Sequence, residues 1–211
     1  MTNIKIKNTL NLHGFSVRIK DIFLNWKLII PLIISVAGIF TGSYIAKGEG
    51  HLYLFIERYI ETLLLNKSDF NLPSDLIVLI LIPSIFAIVL YFCGLSVFGG
   101  LISNSVPFFY SLLVGIISYY FYYNYTLKGL AYCVILIFPY AVLSLFSLIL
   151  MTSECIIMSE YLINKTNQRK VFAEYSIKQY SVNYVKSYAF IVLSVLIKCI
   201  LDSLFIGIFS F

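Results

Sequence analysis

Charged residues are scarce in this chain. They make up 12% of its 211 residues, about half the share found in a soluble globular domain. Only two residues are histidine and one is tryptophan. No HExxH, GxSxG or P-loop pattern occurs, so the sequence does not support a metalloprotease, a serine hydrolase or an ATPase. We therefore expect a protein that is not an enzyme, with no metal site and no cofactor.

The four cysteines do not indicate a disulfide framework or a metal site. The four cysteines form no CxxC pair, and each lies in or at the edge of an apolar run. This placement is typical of buried reduced thiols and not of a disulfide framework or a metal site.

Apolar residues fill most of the chain. They account for 60% of the sequence, and a helix needs about 20 of them in succession to cross the hydrocarbon core of a bilayer. The segments that meet this condition are residues 28–46, 76–94, 106–123, 130–151 and 188–209. The sequence therefore predicts an all-α, polytopic transmembrane helix bundle with about five spans.

The joint between the second and third segments, residues 94–105, is apolar, uncharged and contains three glycines. One interpretation is a tight turn at the membrane face. The other is a re-entrant piece packed inside the bundle, because broken backbone within a membrane is tolerated only where protein or water satisfies it. The re-entrant alternative leaves six spans possible.

Lysine and arginine in short loops set the orientation of a membrane protein. Ten of them lie in the N-terminal stretch and in the loop between segments four and five, and four lie on the opposite side. We therefore predict a cytoplasmic N-terminal segment at 1–27 and a single transmembrane domain at 28–211, with outer loop 47–75 and inner loop 152–187. Because the cations lie on loops, the net charge of +5 does not indicate nucleic-acid binding.

Two loop segments combine apolar and polar residues. Within the outer loop we predict an amphipathic helix that either lies on the bilayer or docks a partner in a groove. Its candidate docking residues are Tyr53, Phe55, Glu57, Arg58, Tyr59 and Glu61. In the inner loop, the tyrosine-rich stretch 172–186 predicts a short interfacial helix. Ser74 or Asp75 is the expected cap of the second span.

Lys198 and Asp202 stand four residues apart in the fifth segment, so they share one helix face. Ionisable groups within a span are expensive and are candidate functional residues. We favour an intramembrane ion pair that holds the structure together over a proton or ion pathway. Glu154 and Glu160 are expected to be interfacial carboxylates near the cations of the inner loop.

Proline and glycine punctuate the spans. Pro83 and Pro139 are expected to kink their helices and to free carbonyls that must be bonded elsewhere. Glycines mark places where backbones approach closely, and we favour helix packing over a transport path. The candidate kink and packing residues are Pro83, Gly94, Gly99, Gly100, Pro107, Gly115, Gly129 and Pro139.

One set of these residues resembles a known family. The stretch Phe92-Cys-Gly94-Leu-Ser96-Val-Phe-Gly99-Gly100, followed by Pro107, Gly115, Gly129 and Ile137-Phe138-Pro139, is similar to the stage II sporulation protein M family of bacterial membrane proteins. The resemblance covers residues 28–162 and includes the small residues that end the first span, Ala37-Gly38-Ile-Phe-Thr-Gly42-Ser43. After Pro139 the chain departs from the family pattern, with Tyr140 at the polar position and Ala141 in place of Gly or Asn.

The resemblance implies a non-enzymatic scaffold in the bacterial cytoplasmic membrane that anchors or localises a cell-envelope remodelling complex. Its partners would be the lipid bilayer and a membrane or envelope protein, such as a peptidoglycan hydrolase complex during engulfment in sporulation. The alternative is the permease subunit of an ABC-type exporter, or a peptide or bacteriocin export or immunity protein. A permease would pair with an ATPase subunit through a coupling helix at 172–186. A third class, an ion or proton transporter, rests on Lys198 and Asp202.

Overall fold

The computed structural model describes residues 26–47, 72–166 and 176–205, with side chains from Leu79 onward in the second range. Every element in these ranges is a helix. They are α1 (Trp26–Ala46), α2 (Leu72–Gly94), α3 (Gly99–Ile102), α4 (Ser105–Tyr132), α5 (Phe138–Thr166) and α6 (Ile177–Phe205). A π-helical turn, Cys133–Ile137, joins α4 to α5.

Helix α4 folds back on itself at Thr126. Thr126 has φ 49° and ψ −123°, a combination that an L-residue rarely adopts. The rings of Phe121 and Tyr132 stack with centroids 4.7 Å apart. Eleven residues of straight helix would separate them by roughly 16 Å, so the chain reverses between them. Residues 105–125 and the run that begins at 127 are therefore two separate arms.

The helices alternate in direction along the chain. Contacts between α1 and α4 advance together, from Gly38 beside Ser111 to Ile39 beside Gly115, so these two helices are parallel. The intervening helix α2 and the last helix α6 are antiparallel, since Tyr180 reaches Tyr91 while Tyr184 reaches Ala87, further back along α2.

Helix α5 is antiparallel to α6 and to α1. Its Ser144 contacts Ser194 of α6, and its Glu154 contacts Asn183. Near the end of α5, Glu160 pairs with Lys27 at the start of α1. The bundle thus has a Glu160 end, where α1 starts and α5 finishes, and a Thr126 end, where α4 folds back.

Apolar and polar side chains are distributed as in a protein surrounded by lipid. Large exposed hydrophobic residues cover the outer faces, among them Phe40, Ile88, Phe146 and Leu196. The buried polar residues are mostly hydroxyl-bearing: Ser35, Ser103, Ser111, Ser144, Ser147, Thr152, Ser153, Ser159, Ser187 and Ser194. A protein in water would bury the first group and expose the second.

Three helical stretches of the described chain are long and apolar enough to cross a membrane, namely Trp26–Ala46, Gly99–Thr166 and Ile177–Phe205. Leu79–Gly94 is a shorter apolar helix. The predicted helical bundle is therefore confirmed as a fold class. The number of crossings does not follow from these stretches alone, because Gly99–Thr166 contains the reversal at Thr126.

The helices extend further than hydropathy predicts. Helix α5 continues to Thr166, and α6 begins at Ile177, so most of the stretch 152–187 assigned to an inner loop is helical. The buried face of this part of α5 mixes small polar residues such as Thr152 and Ser159 with the larger apolar residues Ile156 and Met158. Packing against neighbouring helices continues after the apolar run ends, and the helix continues with it.

Two other predictions about helix ends are wrong. Helix α2 already includes Leu72, so Ser74 and Asp75 lie inside it and are not its cap. The separate interfacial helix predicted at 172–186 is also wrong for residues 177–186, which form the first turns of α6. Tyr180 and Tyr184 are buried there, because their rings pack against α2 instead of lying among lipid headgroups.

Candidate functional site

Glycines bring the backbones of α1 and α4 into direct contact. A Cβ added at Gly42 would overlap the carbonyl of Leu112, and one added at Gly115 would overlap the carbonyl of Ile39. Ser43 Oγ lies 3.3 Å from the Gly115 carbonyl oxygen, to which it donates. Small residues spaced by four let helices approach closely in membranes. Gly115 is therefore a packing residue, as the sequence suggests.

The joint between α2 and α4 is packed onto α5. Gly99 is buried, and a Cβ there would overlap the carbonyl of Cys93. The Gly100 amide donates to Ser159 Oγ at 3.0 Å, and that hydroxyl donates to the Val97 carbonyl at 2.8 Å. The joint therefore closes in a short helix, α3, held against one face of the bundle.

Pro83 frees a carbonyl, and a distant tyrosine bonds it. Proline has no N–H, so the carbonyl of the residue four positions earlier, Leu79, lacks its helical donor. The Tyr140 hydroxyl donates to the Leu79 carbonyl at 2.9 Å. A polar group left unpaired in an apolar environment costs free energy. Tyr140 therefore compensates for the proline of the neighbouring helix.

Pro139 is accommodated by the π-helical turn that precedes it. Its ring would clash with the carbonyl of Ile135 in a regular α-helix. The wider turn at Cys133–Ile137 removes this clash, since π-helical turns add a residue to the ring of hydrogen bonds. Pro107 lies in the first turns of α4 and is buried, a position where proline costs little.

Tyrosines of α6 bond to α2 at intervals of one turn. Tyr180 donates to the Tyr91 carbonyl at 3.2 Å, and Tyr184 donates to the Ala87 carbonyl. One turn further along, the Tyr188 and Ser84 hydroxyls lie 2.7 Å apart. We call Tyr180, Tyr184 and Tyr188 the tyrosine ladder. A Cβ at Gly94 would overlap the Tyr180 hydroxyl, so this glycine makes room for the first step of the ladder.

Serines join α5 to α6 on the adjacent face. The hydroxyls of Ser144 and Ser194 are 2.7 Å apart, and both residues are fully buried. Ser147 donates to the Ser187 carbonyl at 2.6 Å. Interhelical hydrogen bonds of this kind are worth about 0.6 kcal/mol each in membrane proteins. Together with the tyrosine ladder, they fix the position of α6 against two neighbours.

Lys198 and Asp202 are buried near the Thr126 end of α6. They form an ion pair on one helix face, with exposed side-chain fractions of 2% and 8%. Lys198 Nζ also lies over the ring of Tyr132, 5.5 Å from its centroid, a cation–π arrangement. Tyr132 immediately precedes the π-helical turn, so the pair fixes α6 against the point where the chain turns into α5.

The two carboxylates that follow the fourth apolar segment have helical partners. Glu160 pairs with Lys27 of α1. Asn183 Nδ2 lies 3.4 Å from Glu154 Oε2, to which it donates. Both of these partners lie on helices that face α5. Arg169 and Lys170, two of the inner-loop cations expected near the carboxylates, lie outside the described residues.

The structure brings together only part of the predicted site. Lys198 and Asp202 meet, and each packing glycine or proline lies at a helix contact or turn. The six docking residues between Tyr53 and Glu61 lie outside the described residues. The sequence interpretation missed the tyrosine ladder, although its spacing of four residues is visible in the sequence. It also missed Tyr140 as a donor, since nothing local connects it to Leu79.

Comparison with known protein families, curated proteins and solved structures finds no match for this chain. The fold alone therefore defines its class. It is an all-helical bundle with lipid-type outer faces and an interior cross-linked by hydroxyl groups.

Proposed function

We propose that this protein is a non-enzymatic, five-span membrane scaffold that anchors a cell-envelope remodelling complex. One observation carries the proposal. Interior polar groups are bonded to facing helices: the tyrosine ladder to α2, the serines between α5 and α6, and Tyr140 to α2. Such bonds hold the bundle in one arrangement, which suits a rigid anchor better than a carrier that alternates between states.

The alternation of helix direction supports five crossings. Five successive segments run in alternate directions between the Glu160 end and the Thr126 end. They are α1, α2, the arm at 105–125, the arm that begins at 127, and α6. The arm at 105–125 has 21 residues, about 31 Å of helix, which matches the roughly 30 Å hydrocarbon core of a bilayer.

The charges at the two ends support a cytoplasmic Glu160 end. Lys27, Lys165 and Lys178 lie in the terminal turns of their helices at this end, while Lys47 and Lys128 lie at the Thr126 end. An excess of lysine marks the cytoplasmic side. The predicted cytoplasmic N-terminus agrees with this distribution.

The depth of the ion pair favours a structural role. Along α6, Lys198 lies 18 residues, about 27 Å, from Tyr180, which packs beside Gly94 at the Glu160 end. The pair would then lie close to the opposite face of a hydrocarbon core of roughly 30 Å. A salt bridge at that depth, paired within its own helix and covered by Tyr132, holds α6 in place.

The resemblance to the stage II sporulation protein M family supplies the envelope-remodelling part of the proposal. The permease alternative requires a coupling helix at 172–186 that is free to meet an ATPase. Residues 180 and 184 are instead bonded into α2, which counts against this alternative.

Orientation is tested by labelling intact cells with a membrane-impermeant maleimide. In a variant lacking the four native cysteines, a cysteine at Lys128 should be labelled and one at Lys165 should not. Lysed cells serve as the control, because both positions are exposed and should then react. Labelling of both positions in intact cells would refute five crossings, and the reverse pattern would refute the orientation.

The scaffold role is tested by deleting residues 50–65 and crosslinking in native membranes. We expect the deletion to abolish recovery of the envelope partner while membrane insertion is unchanged. A variant with the same residues in scrambled order keeps the length and composition of the loop and should also lose the partner. Recruitment that survives both changes would exclude the outer loop as the docking surface.

A further inference from the structure

The joint between α2 and α4 has an apolar face that no other described part of the bundle covers. Phe98 is 70% exposed, Leu101 81% and Ile102 53%. The opposite face of the joint is fixed by the bond from the Gly100 amide to Ser159 and by the buried Gly99. The three side chains are thus held outward by packing on their inner side.

The joint lies nearer the middle of the bundle than the C-terminal end of α5 does. It is bonded at Ser159, and α5 continues for seven more residues to Thr166. Seven residues of helix extend about 10 Å. The exposed Lys165 therefore lies nearly two turns beyond the joint, in the direction that leads out of the membrane.

The joint is uncharged, whereas the helix ends around it carry lysines. Residues 94–105 contain no charged side chain, whereas the exposed Lys165 and Lys178 lie in neighbouring helix ends. Lysine ends at the cytoplasmic face are attracted to the anionic headgroups of that leaflet. If these lysines meet the headgroups, the joint lies at the depth where headgroups give way to acyl chains.

We propose that the joint is an interfacial lipid anchor, with Phe98, Leu101 and Ile102 inserted at the headgroup–acyl boundary of the cytoplasmic leaflet. This inference rests on the proposed membrane orientation. Apolar faces of interfacial helices insert about 5–10 Å into this boundary. Helix α5 extends about 10 Å beyond the joint, so the two distances are comparable. The anchor keeps the reversal between α2 and α4 in lipid, so it is neither a cytoplasmic loop nor a re-entrant span.

Tryptophan fluorescence tests the anchor. The chain has a single tryptophan, Trp26, so a Trp26→Phe, Phe98→Trp protein in lipid nanodiscs reports only on the joint. We expect blue-shifted emission, strong quenching by lipids brominated on the acyl chain, and little quenching by iodide in the buffer. A second variant, Leu101→Trp, repeats the test if Phe98→Trp does not fold.

Two results would overturn the inference. Quenching by iodide with red-shifted emission would mean that the joint faces water. Blue-shifted emission that neither quencher changes would mean that protein covers it, such as a second copy of this chain or a partner.

Two control positions distinguish the anchor from the membrane proposal itself. Phe40→Trp, on the lipid-type face of α1, should be quenched by the brominated lipids, and Gln179→Trp, at the exposed start of α6, should be quenched by iodide. If Phe40→Trp is not quenched by lipid, the membrane-spanning proposal fails. If only the Phe98 and Leu101 variants fail, the bundle spans the membrane and the anchor alone is wrong.

Discussion

The hydrogen bond from Tyr140 to the carbonyl freed by Pro83 can be tested directly. Replacing Pro83 should remove the carbonyl's need for the tyrosine hydroxyl. In the native chain, Tyr140→Phe leaves the Leu79 carbonyl without a donor. In a Pro83→Ala background, the new amide of residue 83 can donate to Leu79 within the helix. The tyrosine hydroxyl should then matter much less.

The expected magnitudes follow from the bond. An unsatisfied buried polar group costs about 1–3 kcal/mol, whereas interhelical bonds measured in membrane proteins average about 0.6 and reach about 1.7 kcal/mol. We expect Tyr140→Phe to lower the free energy of unfolding by about 1.5 kcal/mol with Pro83 present and by about 0.5 kcal/mol in the Pro83→Ala background, within that combined range. The coupling energy of the double-mutant cycle is then about 1 kcal/mol.

The assay is reversible unfolding of the purified protein in mixed micelles with increasing SDS, followed by helical circular dichroism. Tyr184→Phe is the matched control. Its acceptor, the Ala87 carbonyl, has an ordinary helical donor at residue 91, so its cost should be equal in both backgrounds. If Tyr140→Phe also costs the same in both, Tyr140 does not compensate for Pro83 and the reasoning is refuted.

Three further predictions use the same unfolding assay. Gly42→Ala should cost about 1–3 kcal/mol by forcing α1 away from α4. The control is Gly100→Ala, whose Cβ would be 3.4 Å from Ser159 Oγ and which should change stability by less than about 0.5 kcal/mol. Equal costs for the two variants would contradict the close contact of α1 and α4. Asp202→Leu should cost about 3–5 kcal/mol by removing the carboxylate that balances the charge of the buried Lys198, and adding Lys198→Leu should recover most of that loss. A double variant as unstable as the single one would show that the lysine does more than balance the aspartate. Thr126→Gly should stabilise the protein by about 1 kcal/mol by relieving a backbone conformation that favours glycine. Thr126→Ala should give no gain in stability. A gain for alanine as well would mean that the side chain and not the backbone is strained.

Local patterns predicted two of the contacts inside the bundle. The spacing of Lys198 and Asp202 places both on one helix face, and the structure pairs them. The missing amide of Pro83 predicts a freed carbonyl, and the structure bonds it. The donor itself, Tyr140, is 61 residues away from Leu79. Its role depends on how α2 packs against α5, which no local pattern encodes.

Hydropathy was less informative about helix ends and about tyrosine. It measures preference for lipid, whereas a helix such as α5 continues wherever its backbone is bonded and one face is packed. Tyrosine has an apolar ring and a polar tip, so the spacing of Tyr180 and Tyr184 fits a helix at the headgroups as well as a helix bonded to α2. Only the neighbouring carbonyls of α2 distinguish the two, and they belong to a distant part of the sequence.

The contact between α1 and α4 has a consequence for biogenesis. Ser43 and the carbonyl it bonds at Gly115 are 72 residues apart, with the whole of α2 made in between. At about 5–20 residues per second of synthesis, α1 waits roughly 4 to 14 s in the membrane before its partner is available. During that interval its glycine face must rest against lipid or an insertion factor. Helix α1 can therefore pack against α4 only after the chain has been made as far as Gly115, and the timing of translation becomes part of how the bundle assembles.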